Sequence, residues 1–136
     1  MQEQTYIYTI NQYIERLLVF ETVFKEYAHT CQNIDKGNCY ASESLSRLKE
    51  YFSKNLIRFN TFVQTVSQLS APNKYAVFNQ HFIEALKEMQ SGAIGTLRAI
   101  DDENVDHSRF EASVEKQAQA RQRISSIFEY IGQPIY

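Results

Sequence analysis

Apolar residues recur at alternating spacings of three and four in four successive stretches of the chain, which is the periodicity of one face of an α-helix. The predicted helices cover about 6–31, 41–70, 74–100 and 107–131. Only four glycines and two prolines occur in the chain, so few positions favour turns and long helices are expected. A length of 136 residues is usual for one domain, and we expect residues 1–136 to form a single helical-bundle domain.

The second predicted helix carries two interleaved series of residues with a spacing of seven, as at the a and d positions of a heptad repeat. The members of these series are Leu45, Leu48, Phe52, Asn55, Phe59, Phe62, Val66 and Leu69. Asn55 is the one polar residue among them. Because the connections between the four stretches are short, neighbouring helices are expected to run antiparallel. The sequence therefore predicts an all-α fold, an antiparallel up-down-up-down four-helix bundle.

Two glycines, Gly92 and Gly95, lie inside the apolar face of the third predicted helix. A glycine in a helix interior costs about 1 kcal/mol relative to alanine, so its presence needs a structural reason. We expect close approach of a neighbouring helix at this point, with a kink in the third helix as the alternative.

Three of the four apolar faces include polar residues near the middle of the helix: Glu21 in the first, Asn55 in the second, and Gln117 and Arg121 in the fourth. Helix midpoints lie at one height in an antiparallel bundle, and the first and fourth helices are neighbours in the commonest topology. We therefore expect Glu21 to face Arg121, because a buried charge persists only when it is paired. Asn55 and Gln117 are expected to complete a polar core layer. Such a layer either fixes the register of the helices or forms a pocket that recognises a ligand or a partner.

The two cysteines of the chain, Cys31 and Cys39, flank the first connection between helices. They are a candidate disulfide in an oxidising compartment and two free thiols in a reducing one. A zinc site that adds His29 and His107 at the same end of the bundle is a less favoured alternative. His29 and Cys31 are two residues apart on a helix and therefore point in different directions.

No catalytic or cofactor-binding motif occurs in the sequence. A di-iron site in a helical bundle needs Glu-x-x-His on two helices, and Glu26 with His29 is the single match. A G-x-S-x-G nucleophile motif and a glycine-rich phosphate loop with its lysine are both absent. We therefore expect no catalytic residues, no metal and no cofactor, and hence a protein that is not an enzyme.

The formal net charge of −2 gives no basic excess with which to neutralise nucleic-acid phosphates, so no nucleic-acid partner is expected. No apolar run reaches the roughly 18 residues of a membrane span, so this segment is not expected to insert into a membrane. The first residues lack the basic and then apolar pattern of a secretory signal. If Met1 is the natural start, the expected compartment is the cytoplasm; otherwise the sequence leaves the compartment open.

Nine tyrosines are more than the predicted core needs. Tyr6, Tyr8, Tyr13 and Tyr130 lie near the two termini, which an antiparallel bundle brings to one end. Tyrosine is enriched at protein interfaces, because its ring offers a large contact area at a low entropic cost. These four residues are a candidate interface with a partner protein or with a second copy in a homodimer. The alternative is that the rings only cover the end of the bundle.

The lack of catalytic motifs, the mild charge and the surplus tyrosines favour a non-catalytic module that acts through protein–protein interaction, such as an adaptor, an inhibitor or an immunity-type bundle. The polar layer and the cysteine pair favour an alternative, a ligand-sensing bundle from an extracytoplasmic or membrane-anchored protein. The pattern resembles small bacterial helical bundles in general, and no motif indicates a named family.

Overall fold

The computed structural model describes residues 1–38 and 43–132, with the backbone alone for 130–132. Its four helices are α1 (Glu3–Asp35), α2 (Leu45–Ser67), α3 (Ala76–Arg98) and α4 (His107–Gly132). Successive helices run antiparallel and pack as an up-down-up-down four-helix bundle, so the predicted all-α fold class is confirmed. No helix in the described ranges is long and apolar enough to cross a membrane.

Helix α1 continues one turn beyond its predicted end at Cys31. Gly37 has a φ of +78°, and the left-handed conformation that this glycine adopts allows the chain to leave the helix. The Gly37 N–H donates to the carbonyl oxygen of Ile34, and the Asn38 N–H donates to that of Asn33. These bonds satisfy carbonyl groups that the end of a helix otherwise leaves without partners.

Helix α2 begins later and ends earlier than the predicted range of 41–70. Ser44 is its N-cap, and the Ser44 hydroxyl accepts a hydrogen bond of 3.2 Å from the backbone N–H of Arg47. Residues 41 and 42 of the predicted helix lie outside the described residues. At the other end, Pro72 disfavours helical geometry at the residue before it, and a short 3-10 turn at Asn73–Tyr75 leads into α3.

The core between α1 and α2 is built from aromatic rings. Phe24 of α1 stacks on Phe52 and meets Phe59 edge to face, with ring centroids 5.7 and 5.2 Å apart. Phe52 and Phe59 have no solvent-exposed surface. Complete burial of a phenylalanine side chain contributes about 1.5–3 kcal/mol. The a and d positions of α2 therefore supply most of the contact with α1, as the heptad pattern predicts.

The contact between α3 and α4 is made by small residues instead. A Cβ atom built on Gly92 would lie 2.8 Å from Cγ of Gln117 and 3.1 Å from two backbone atoms of α4. A Cβ on Gly95 would lie 3.0 Å from Cβ of Ser113. The predicted close approach of a neighbouring helix at the two glycines is thus confirmed, and α3 runs through them without a break.

We expect Gly92→Ala to destabilise the protein by about 1–3 kcal/mol, because the added methyl group overlaps the backbone of α4. Gly95→Ala is the matched control. Its methyl group meets one side-chain atom, and the gain in helix propensity of about 1 kcal/mol offsets part of that overlap. Urea unfolding followed by circular dichroism measures both free energies. A Gly92→Ala variant as stable as the wild type would contradict the proposed close contact.

Candidate functional site

Glu21 of α1 and Arg121 of α4 are in contact, as the sequence predicts. Arg121 Nε lies 2.6 Å from Glu21 Oε2, and Lys25 Nζ lies 2.9 Å from Glu21 Oε1. The Glu21 side chain is 14% exposed and that of Arg121 is 30% exposed, so the pair is largely removed from solvent. Glu21 Oε2 is buried and accepts no well-aligned hydrogen bond within the described residues, so the contact with Arg121 is mainly Coulombic.

The other two members of the predicted polar core layer, Asn55 and Gln117, make their hydrogen bonds with residues other than Glu21 and Arg121. The Asn55 amide donates to the Tyr27 hydroxyl at 2.5 Å and to the backbone carbonyl oxygen of Tyr51 at 3.2 Å, which places it between α1 and α2. The Gln117 amide donates to the Thr96 hydroxyl at 2.8 Å, between α3 and α4. The expectation of one continuous layer is corrected to three separate polar contacts, because the side chains of the partner helices offer nearer hydrogen-bonding groups.

Two buried hydroxyl groups complete the Gln117 contact and were missed by the sequence analysis. The hydroxyl groups of Thr96 and Ser113 lie 2.7 Å apart, and both residues are buried. The Ser113 hydroxyl also donates to the backbone carbonyl oxygen of Phe110. Gly92 and Gly95 could have indicated this contact, because helices that approach closely at glycines also bring their small polar residues together.

The predicted tyrosine interface is reduced by the burial of Tyr6. The Tyr6 ring has no exposed surface and its hydroxyl donates to Asn79 Oδ1 at 2.9 Å, so Tyr6 belongs to the core and not to an interface. Burial raises the pKa of its phenol well above the ordinary value. Tyr13 is half-buried and packs edge to face on Phe62. Tyr8 is 65% exposed, whereas the side chain of Tyr130 lies outside the described part.

Of the candidate disulfide, the structure describes Cys31 alone. The Cys31 thiol is fully buried, and desolvation, with the nearby Asp35 charge, raises its pKa to about 11. A thiol with such a pKa stays protonated near neutral pH and is a poor nucleophile. Cys39 lies outside the described residues, so the pairing remains a prediction. Within residues 1–38 and 43–132, no group of three His, Cys, Asp or Glu side chains converges as a metal site would require.

The seam between α1 and α4 is the less closely packed side of α4. Two ion pairs cross it, Glu21–Arg121 near the middle of the bundle and Asp35–His107 at one end. His107 Nε2 lies 2.7 Å from Asp35 Oδ2. This hydrogen bond and the Asp35 charge raise the pKa of the His107 imidazole.

A cavity of about 290 Å³ opens in this seam between the positions of the two ion pairs. We call it the seam cavity. Its walls include Phe24, Ala28, Met89, Val114, Gln117 and Ala118, and the Glu21–Arg121 pair lies at its edge. Lys25 and Gln122 complete the lining, which comes from three helices and exposes mostly apolar surface.

On the other side of α4, an open groove of about 610 Å³ runs along α3 and α4. We call it the basic groove, because its lining includes four cationic side chains, Lys87, Arg98, Arg109 and Lys116. Gly92 and Gly95 also line the groove. Because these two residues have no side chain, the floor of the groove is open between the cations of α3 and those of α4.

Comparison of the chain with protein-family models, with curated proteins and with solved structures gave no match.

A double-mutant cycle on Glu21→Ala and Arg121→Ala is expected to give a coupling energy of about 1 kcal/mol, because both side chains are largely shielded from water. The exposed Glu50–Lys54 pair on α2, with its charged atoms 3.4 Å apart, is the matched control and is expected to give about 0.3–0.5 kcal/mol. Urea unfolding of the four proteins in each cycle provides the energies. Equal coupling in the two cycles would show that shielding adds nothing to the Glu21–Arg121 contact.

The raised pKa of His107 predicts a stability that depends on pH. Protonated His107 pairs with Asp35, so the stabilisation is fully present below the usual histidine pKa of about 6.5 and is lost as the pH rises through the higher folded-state value. The melting temperature of the wild type should therefore exceed that of His107→Gln at about pH 5.5, and the difference should shrink towards pH 8.5. Asp35→Asn should also abolish the pH-dependent difference. A difference that grows with pH would contradict the assignment.

Proposed function

We propose that the protein is a non-catalytic interaction module that binds an acidic segment of another protein in the basic groove. The observation that carries this proposal is the collection of four cationic side chains in one groove of a chain whose formal net charge is −2. Complementary charge steers a partner to such a surface and fixes its register there.

The positive charge of the groove is only weakly compensated by neighbouring residues. Lys87 and Arg98 make no ion pair within the described part of the chain. Arg109 contacts Asp106 at 3.4 Å, but both side chains are exposed and such a pair is weak. Lys116 Nζ donates to the neutral Ser91 hydroxyl at 3.0 Å, which leaves its charge in place. The lining of the groove therefore carries a net positive charge, because none of the described residues that form it is acidic.

A further cation on the same two helices is paired with carboxylates, unlike the cations of the groove. Arg123 of α4 contacts the carboxylates of both Glu84 and Glu88 of α3, with Nη2 3.0 Å from Glu84 Oε2. The helix pair therefore carries a balanced face and a basic face. This contrast makes the charge of the groove a local feature and not an average property of α3 and α4.

The dimensions of the groove suit a short peptide segment. Lys87 and Arg98 are eleven residues apart on α3, which corresponds to about 16 Å, or three helical turns. An acidic helix of that length places carboxylates on one face at spacings of three and four residues. Such a segment matches the row of cations without extending beyond the groove.

An acidic protein segment fits this surface better than a nucleic acid does. Asp101, Asp102 and Glu103 are exposed and lie a few residues after α3 ends at Arg98, which lines one end of the groove. A continuous phosphate chain that ran past Arg98 would approach these carboxylates, and like charges would oppose its binding. A short acidic segment ends before it reaches them.

The lining of the groove also supports binding without catalysis. Its polar members in the described chain are amines, guanidinium groups, hydroxyl groups and one amide. Nucleophilic catalysis by a serine needs an adjacent base, and no histidine or carboxylate belongs to the lining described here.

The test is fluorescence anisotropy with a labelled helical peptide of about three turns that carries glutamates along one face. The glutamate peptide is expected to bind, more weakly as salt rises, and Arg98→Glu and Lys116→Glu are each expected to reduce its affinity about tenfold. The matched control is Arg58→Glu, which reverses one exposed charge on α2 and should change the affinity less than about twofold.

Two further probes decide the class of partner. A peptide with lysines in place of the glutamates should not bind, and a DNA duplex of similar length should bind more weakly than the glutamate peptide. Tighter binding of the duplex would replace the protein partner with a nucleic acid. Equal loss of affinity in Arg98→Glu and Arg58→Glu, or no binding of the glutamate peptide, would overturn the basic groove as the binding surface.

A further inference from the structure

The seam cavity has an unusual position in the bundle. Along α1, its residues Phe24 and Ala28 lie between Glu21 and Asp35, the residues that form the two ion pairs to α4. Along α4, Val114 and Ala118 lie between His107 and Arg121 in the same way. The two helices are therefore held together by charge contacts above and below a space that their own side chains do not fill.

We propose that the seam cavity is a binding site for a small, neutral and predominantly apolar molecule. An apolar cavity of about 150 Å³ is sufficient for benzene or xenon, and the seam cavity is larger, at about 290 Å³. Ala118 and Gln122 of its lining are exposed, so the cavity opens to solvent and a small molecule can reach it.

The residues around the cavity explain why the space exists. Ala28 of α1 and Ala118 of α4 line the cavity from helices on opposite sides of the seam. A larger side chain at either position would compete with a ligand for this space, at Ala28 from the half-buried wall and at Ala118 from the exposed rim. The cavity thus results from small residues on both helices, and α3 contributes Met89, whose flexible side chain adapts to different ligand shapes.

The charges near the cavity favour a neutral ligand. Glu21 is already engaged by Arg121 and Lys25, and its Oε2 atom is buried. A charged ligand would lose its hydration against largely apolar surface, and the cations of Lys25 and Arg121 both already contact Glu21, so binding of a charge is costly. The Gln117 amide nitrogen is bonded to Thr96, and no donor within the described residues reaches the Gln117 carbonyl oxygen. One hydroxyl group on the ligand is therefore compatible with the walls.

A small molecule also fits this space better than a protein segment. An α-helix with its side chains is about 10 Å across, which is too wide to enter a space of about 290 Å³ between α1, α3 and α4. The site is separate from the basic groove and uses different chemistry. The inference therefore holds or fails independently of the proposed acidic partner.

The experiment uses the full chain labelled with ¹³C at the methionine methyl groups, because the protein has only two methionines. Met89 is 2% exposed and lines the cavity, whereas Met1 is 54% exposed and serves as the control within the same molecule. Four probes of one size are titrated: toluene, benzyl alcohol, benzoate and benzylamine. Toluene and benzyl alcohol are expected to shift the Met89 signal saturably and leave the Met1 signal unchanged, and the two charged probes are expected to have no effect.

Filling the cavity provides the second arm. Ala28→Leu and Ala118→Leu should each abolish the toluene-induced shift of the Met89 signal, while Ala76→Leu, the same substitution at the exposed start of α3, should preserve it. A melting temperature at or above that of the wild type would confirm that a filled variant is folded. Two such variants are used so that the test still stands if one of them is misfolded.

Three results would overturn the proposal. They are the absence of a saturable Met89 shift with either neutral probe, an equal shift in the filled variants, and binding of benzoate or benzylamine as tight as that of toluene. The last of these would mean that the Glu21–Arg121 pair opens to receive a charged ligand.

Discussion

The close approach of α3 and α4 at Gly92 determines where the open surfaces of this bundle lie. With no side chain at that position, α4 packs directly against α3, and Gln117 and Ser113 come within contact distance of the Gly92 backbone. The same approach creates the floor of the basic groove on one side of α4. On the other side, α4 approaches α1 less closely, and the seam cavity occupies the space between them. The two candidate sites therefore lie on opposite sides of α4, and the small-residue contact at Gly92 belongs to the basic groove.

Three of the contacts between helices of the bundle are held by different physical interactions. Aromatic rings such as Phe24, Phe52 and Phe59 fill the contact between α1 and α2, where shape and buried area dominate. Small residues and a hydroxyl network hold α3 to α4. The seam between α1 and α4 relies on ion pairs, which bring helices together without filling the space between them. Phe24 and Met89 of the buried core also line the seam cavity, so this seam connects the core with the cavity.

The sequence predicted the helices and the pairing of Glu21 with Arg121 because both follow from periodicity and antiparallel order. Periodicity identifies the face of a helix that turns inward, but it does not give the distance between two helices. Asn55 and Gln117 were therefore placed correctly on inward faces, yet their partners, Tyr27 and Thr96, depend on interhelical distances. The burial of Tyr6 depends in the same way on Asn79, whose side-chain oxygen accepts the hydrogen bond from the Tyr6 hydroxyl group. No local pattern around Tyr6 indicates that partner.

The basic groove could not be predicted from composition, since a net charge of −2 averages over all faces of the molecule. Its cations come from two helices, and only the antiparallel pairing of α3 with α4 places them in one groove. The close packing of α3 with α4 also means that a change at one candidate site has little effect on the other. A ligand in the seam cavity can push α4 away from α1, where packing is loose, but it meets resistance towards α3, where backbone atoms are already in contact. The free energies of binding at the two sites should therefore be additive, with α3 and α4 behaving as one rigid unit.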